Sequence, residues 1–134
     1  MIQRLSDTLN FQSEALVLRS ERQRLIASNI ANADTPGYVA REMDFASALR
    51  RATGPSAGPA TLHTRAERHL PTQPGGRAAT DLRYAAPSQT NLDRNTVDMD
   101  RERASFVDNS LKYEATLRFI NGSVKTMLDA IKGQ

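Results

Sequence analysis

The sequence predicts a mainly α fold: long N- and C-terminal helices pairing as a coiled-coil-like hairpin around a flexible, Pro/Gly-rich central segment. Three observations carry that prediction. Residues 1–33 contain neither Gly nor Pro and repeat their apolar residues at helical spacing. Residues 95–131 repeat theirs even more regularly. Between Gly54 and Pro87 lie four of the seven Gly and five of the six Pro, a composition that interrupts helices and strands alike. The expected organisation is a single module: a helix over 1–34, a turn and short helix over 35–51, an arm over 52–94 and a second long helix over 95–134.

The first helix is drawn by Ile2, Leu5, Leu9, Leu16, Ile26 and Ile30, with polar Gln12, Arg19 and Gln23 in the gaps. A second stripe runs through Phe11, Ala15, Leu18 and Leu25. Together they make a broad apolar face on a rod about 50 Å long, at ~1.5 Å per residue. The helix is expected to stop at Asn32-Ala33-Asp34-Thr35-Pro36-Gly37-Tyr38. Thr35 precedes proline, which disfavours helical backbone. Pro36-Gly37 suits the central positions of a type II turn. Asp44 is placed to cap a short helix carrying Phe45, Ala48 and Leu49.

The central arm has few apolar residues, namely Leu62, Leu70, Leu82 and Tyr84. Burying so little cannot offset the entropy of ordering the chain. At most a transient strand or hairpin is expected there. The C-terminal helix is the clearest signal. Met99, Arg103, Phe106, Ser110, Tyr113, Leu117, Ile120, Val124, Met127 and Ile131 stand three or four apart throughout. This spacing describes a coiled-coil seam. Asp98, Asp100 and Glu102 at its start and Lys125 and Lys132 near its end complement the helix dipole. Asn95 or Thr96 is the expected cap. Gly122 weakens the helix by about 1 kcal/mol relative to Ala. Pairing the two helices hides one stripe of each, and the leftover apolar surface marks an association face.

Composition narrows the function classes. The 134 residues are 39% hydrophobic and only 5% aromatic, with no Trp, so a large compact core is not expected. There is no Cys, which removes disulfides, thiolate metal sites and Cys nucleophiles. The longest apolar run, Ala15-Leu16-Val17-Leu18, is far short of a membrane span. Arg4 is followed by no apolar h-region, so no cleavable secretory signal is expected. The sequence pI of about 9.7 suggests nucleic acid, but the charge map does not. Residues 1–33 carry four basic and three acidic groups, residues 34–94 eight and six, and residues 95–134 six and six. A phosphate-binding surface needs one sign concentrated.

Catalytic constellations are equally sparse. The chain has no G-x-S-x-G, no phosphate-binding G-x-x-x-x-G-K-[ST] and no H-E-x-x-H. Asp93, Asp98, Asp100 and Glu102 lack the central Gly and terminal Glu of a calcium loop, and read as a charged helix start. His63 and His69 stand without further ligands. Tyr84 and Tyr113 read as packing residues. No enzyme, cofactor or metal is expected. Asn29 and Asn32 are different. Asn is a poor helix former, and at i and i+3 the two share a face. They act either as a helix stop or as a polar feature fixing register between packed helices.

The stretch Ala27-Ser28-Asn29-Ile30-Ala31-Asn32-Ala33-Asp34-Thr35-Pro36-Gly37-Tyr38 resembles the N-terminal signature of bacterial flagellar rod and hook proteins. A second resemblance covers Asn95-Thr96-Val97-Asp98-Met99-Asp100 and the helix to Ile131, and points to the proximal rod members of the flagellar basal body rod protein family. The resemblance implies a structural subunit of the rod that links the motor to the hook across the periplasm. It implies export by the flagellar type III apparatus without a cleaved signal. It also implies partners: further copies, other rod subunits, the basal body adaptor FliE and the export apparatus. On this reading Asn29, Ile30, Asn32, Thr35, Pro36, Gly37 and Tyr38 form the signature turn. Leu5, Leu9, Leu16, Ile26, Phe106, Tyr113, Leu117, Ile120, Val124, Met127 and Ile131 form the assembly seam. Phe45 and Leu49 fit the Phe-x-x-x-apolar element of related export substrates, as do Phe11 and Ala15. The competing expectation is a soluble helical adaptor or secretion chaperone that binds partner helices through the same seams.

Overall fold

A computed structural model describes residues 2–54, 82–85 and 92–133, with the side chains of Ile2 and Leu5 excepted. Five elements follow in order: α1 (Ile2–Ala31), β1 (Arg41–Met43), α2 (Phe45–Thr53), β2 (Leu82–Tyr84) and α3 (Met99–Lys132). The two long helices pack side by side, with α2 and the strands gathered near the C-terminal end of α1. The expected mainly α hairpin is therefore the fold. Much of the expected flexible arm, 55–81 and 86–91, lies outside the described residues, as do His63 and His69.

Helix α1 ends where proline and glycine force it to. The Asn32 N–H is shared between the carbonyls of Ser28 and Asn29, both at 3.2 Å. The Tyr38 N–H closes onto the Thr35 carbonyl at 3.2 Å, and Gly37 sits at φ +72. That is the type II turn expected of Pro36-Gly37. Asp44 caps α2, accepting from the Ser47 N–H at 3.2 Å and the Ser47 hydroxyl at 2.9 Å.

Three features depart from expectation. The cap of α3 is Asp98 rather than Asn95 or Thr96. Its Oδ1 accepts from the N–H groups of Asp100 and Arg101 at 3.1 and 3.2 Å, while Asn95 and Thr96 are used by the turn instead. Leu82–Tyr84, inside the expected arm, is a strand paired antiparallel with β1, Arg41 opposite Tyr84. Finally, most of the second stripe of α1 is covered within the chain, and only Phe11 of it stays exposed. Leu18, Met43 and Ala48 form a small core, joined by Leu25, Phe45, Leu49 and Leu82. One amphipathic helix and a two-stranded ribbon thus cover what a single partner helix could not.

Candidate functional site

Below the small core, the signature residues build a polar clamp around the end of α1. Asn29 is 1% exposed. Its Nδ2 donates to the Arg41 carbonyl at 2.8 Å, and its Oδ1 accepts the Arg41 N–H at 3.1 Å and the Tyr38 hydroxyl at 3.2 Å. Arg41 faces α1 because its neighbours Ala40 and Glu42 turn their backbone toward β2, where Ala85 N–H donates to the Ala40 carbonyl at 2.9 Å. One side-chain amide therefore replaces a strand at the edge of β1.

Asn95 is the counterpart from the other end of the chain. Its Nδ2 lies within hydrogen-bonding distance of the carbonyls of Asn32, Ala33 and Thr35, at 2.9, 2.7 and 2.9 Å. Those carbonyls belong to the turn that follows α1, where Asn32 and Thr35 also accept the N–H groups of Thr35 and Tyr38. Its Oδ1 accepts the Val97 N–H at 2.8 Å, shaping the approach to α3. The Gly37 N–H donates to the Asp93 carbonyl at 2.8 Å, and the Thr96 N–H to the Tyr38 carbonyl at 3.1 Å. The Thr96 hydroxyl accepts the Ala40 N–H at 2.8 Å. Asn32 donates to the Ser28 carbonyl and accepts the Thr35 hydroxyl, holding the turn from within. Pro36 and Gly37 stay at the surface, and Ile30 is half-buried.

Glu102 lies beside this clamp. Its carboxyl is held above the ordinary glutamate range, chiefly by burial, with the Asn29 amide and Arg101 opposing and Glu42 and Asp98 adding to the rise. Arg101 pairs with Glu42 at 3.3 Å, tying the first turn of α3 to β1.

The seam residues have mixed positions. Ile26 is buried, and Leu9, Leu16, Tyr113, Leu117, Ile120 and Met127 are half-buried between the helices. The side chain of Leu5 lies outside the described residues. Phe106, Val124 and Ile131 remain exposed. A further set that the seam pattern omits, Val107, Leu111, Phe119 and Leu128, is also exposed on α3. Ala27, Ile30, Ala31, Arg103, Phe106 and Val107 line an open apolar groove of about 570 Å³ where the two helices meet. Phe45 and Leu49 are half-buried on α2, and the Arg19 guanidinium stands 4.4 Å above the Phe45 ring. Gln23 and Asn109 were missed by the apolar pattern. Both are polar residues at inward positions, and only the pairing of the helices brings them together.

Among the described residues no group of His, Cys, Asp and Glu could hold a metal ion, and no helix is long and apolar enough to cross a membrane. A helical hairpin with a hydrogen-bonded clamp at one end and bare apolar flanks along its length is a structural assembly module. The chain belongs to the FlgB family of flagellar basal body rod proteins. It is 48% identical to the flagellar basal body rod protein FlgB of Proteus mirabilis (strain HI4320), covering 98% of each chain. The FlgB proteins of Salmonella typhimurium LT2 and Escherichia coli K12 are 47% and 44% identical, over 99% and 98% of each chain. Residues 9–38 match the family model described as flagella basal body rod protein. The chain is thus a structural rod subunit of the flagellum, not an enzyme.

Proposed function

We propose that the chain enters the tubular rod through the apolar flanks of α3 and the adjoining groove. The observation that carries this is the exposure of Val107, Leu111 and Phe119, each about two-thirds exposed, on a helix whose other side is already used by α1. Large exposed apolar side chains gathered on one element mark association surfaces more often than free ones. Contacts between different patches on successive subunits do not close into a dimer and so build a helical tube. The partners on this reading are further copies, other rod subunits and the adaptor FliE at the base. The seam from Leu5 to Ile131 serves first to pair α1 with α3, and its exposed members Phe106, Val124 and Ile131 extend the contact surface.

The subunit is made in the cytoplasm and passes the flagellar type III export apparatus before it folds, reaching the rod where it crosses the periplasm. Phe45 and Leu49 are the proposed export element. In the folded chain they pack against the core of Leu18, Met43 and Ala48, so the apparatus meets them only before that core forms.

Leu111→Asp and Phe119→Asp test the assembly face. Each variant is expected to accumulate, to be exported and to be missing from purified basal bodies, with loss of swimming. Normal swimming by both variants would remove α3's outer flank from the assembly surface.

A further inference from the structure

The α1–α3 seam is polar where it is most buried. Asn109 is 1% exposed. Its Nδ2 donates to the Arg19 carbonyl at 2.9 Å and to Gln23 Oε1 at 2.6 Å. Gln23 Nε2 in turn donates to Ser110 Oγ at 2.7 Å. Asn109 is not on the line that the apolar pattern turns toward α1. At about 100° per residue it lies roughly 50° around the helix from the line through Phe106 and Tyr113. On the side of α3 that Asn109 marks, Glu102, Ser105, Thr116 and Ser123 are half-buried alongside Tyr113, Ile120 and Met127. Phe106 and Val124, which an apolar seam would place inward, are 38% and 41% exposed.

The centre of the apolar seam pattern points to the other setting. Rotating α3 through that angle would turn Phe106 and Val124 inward and carry Ser105 and Ser123 away from α1. The observed setting also leaves Asn109 Oδ1 buried with no hydrogen-bond partner among the described residues. Buried polar atoms without partners are destabilising. The observed setting therefore leaves Phe106 and Val124 of the apolar seam exposed and a polar atom of Asn109 unpartnered inside.

We propose that the Gln23–Asn109 amide pair is a rotational lock. It holds α3 turned on α1 so that Phe106 and Val124 are kept out of the hairpin and presented to an adjacent subunit. Asn109 is suited to this because one of its acceptors is a main-chain carbonyl of α1. Rotation of α3 would break that bond as well as the amide pair. Polar pairs buried between helices are known to select one arrangement at a cost in stability. The purpose assigned to the lock rests on the assembly reading above, whereas the rotation does not.

The chain contains no Trp, so Phe106→Trp gives a single fluorescent reporter in the purified full chain. With the amide pair intact, the reporter is expected to be readily quenched by acrylamide. Gln23→Ala with Asn109→Ala should shift its emission to the blue and reduce quenching, with helix content by circular dichroism unchanged. If the double variant loses helix, Asn109→Ala alone carries the same expectation. Exchanging the pair, Gln23→Asn with Asn109→Gln, keeps an amide on each helix and should leave the reporter as in the intact chain. In cells, the double alanine variant should be lost from basal bodies and the exchanged variant retained. Unchanged quenching in the alanine variants overturns the lock, as does a reporter already shielded in the intact chain. Absence of the unaltered chain from basal bodies would overturn the assembly reading and the purpose given to the lock, while the fluorescence still judges the lock itself.

Discussion

Asn29 and Arg41 are joined as two strands of a sheet would be, although one contributes a side chain. The Asn29 amide gives to the Arg41 carbonyl at 2.8 Å and takes from the Arg41 N–H at 3.1 Å. Asn is the one short residue whose side chain reproduces the donor and acceptor of a peptide group in the right geometry. The helix end and the strand ribbon are thereby fixed to each other.

Asn29→Ala is expected to destabilise the chain by about 2–3 kcal/mol, since it leaves both Arg41 groups and the Tyr38 hydroxyl without their partner. Asn29→Asp keeps the acceptor and loses the donor. It also sets a second carboxylate beside Glu102, and should be at least as damaging at neutral pH. Urea midpoints for the two variants check this.

Gly37→Ala isolates backbone strain from packing. Gly37 has φ +72, and a Cβ built there meets nothing within 4 Å. The expected loss is about 1 kcal/mol, from the left-handed conformation alone. A loss several times larger would mean that the turn is packed against something else.

Asp98→Ala removes the cap of α3 and should cost about 1 kcal/mol. Asn95→Ala should cost more, because three carbonyls of the turn lose one donor. Hydrogen exchange separates them. The Asp98 variant should loosen the first turn of α3, and the Asn95 variant the segment from Asn32 to Tyr38.

Glu102 gives a pH dependence of defined sign. Its folded pKa is raised, mainly by burial. Its contribution is therefore fully present below the unfolded value of about 4.3 and is lost as pH rises through the folded value. Asp44 and Asp108 work the other way. Hydrogen bonds from Ser47 and Lys112 respectively hold them below the ordinary aspartate range, so what they contribute is lost in acid. Glu102→Gln should raise the urea midpoint near neutral pH and have little effect below the unfolded value. An equal gain at both would assign the effect to packing instead of charge.

The two long helices, the Pro36-Gly37 turn and the Asp44 cap were legible because each depends on residues close together in the sequence. Spacing gives the helices, proline and glycine fix the turn, and a carboxylate three residues before a free N–H makes the cap. The cap of α3 was misplaced because Asn95 and Thr96 have equally good cap chemistry. The turn at the far end of α1 claims both, which local sequence does not reveal. The strand at Leu82–Tyr84 was obscured for a similar reason. Three residues with one strong apolar side chain carry little periodicity, and their pairing depends on β1, some forty residues away.

By itself the sequence determined that this chain is two amphipathic helices with more apolar surface than one pair can hide, since side-chain period is a property of the local backbone. The residues of the family signature were also legible there. Only the tertiary structure decided which apolar stripe is covered and which stays bare. Leu18 and Leu25 disappear beneath α2 and the strand ribbon, while Val107, Leu111 and Phe119 remain outside. The first half of that choice follows from the docking of α2 and the ribbon on α1, and the second from which side of α3 meets α1, where Asn109 bonds to the Arg19 carbonyl and to Gln23, residues brought into contact only when the hairpin closes.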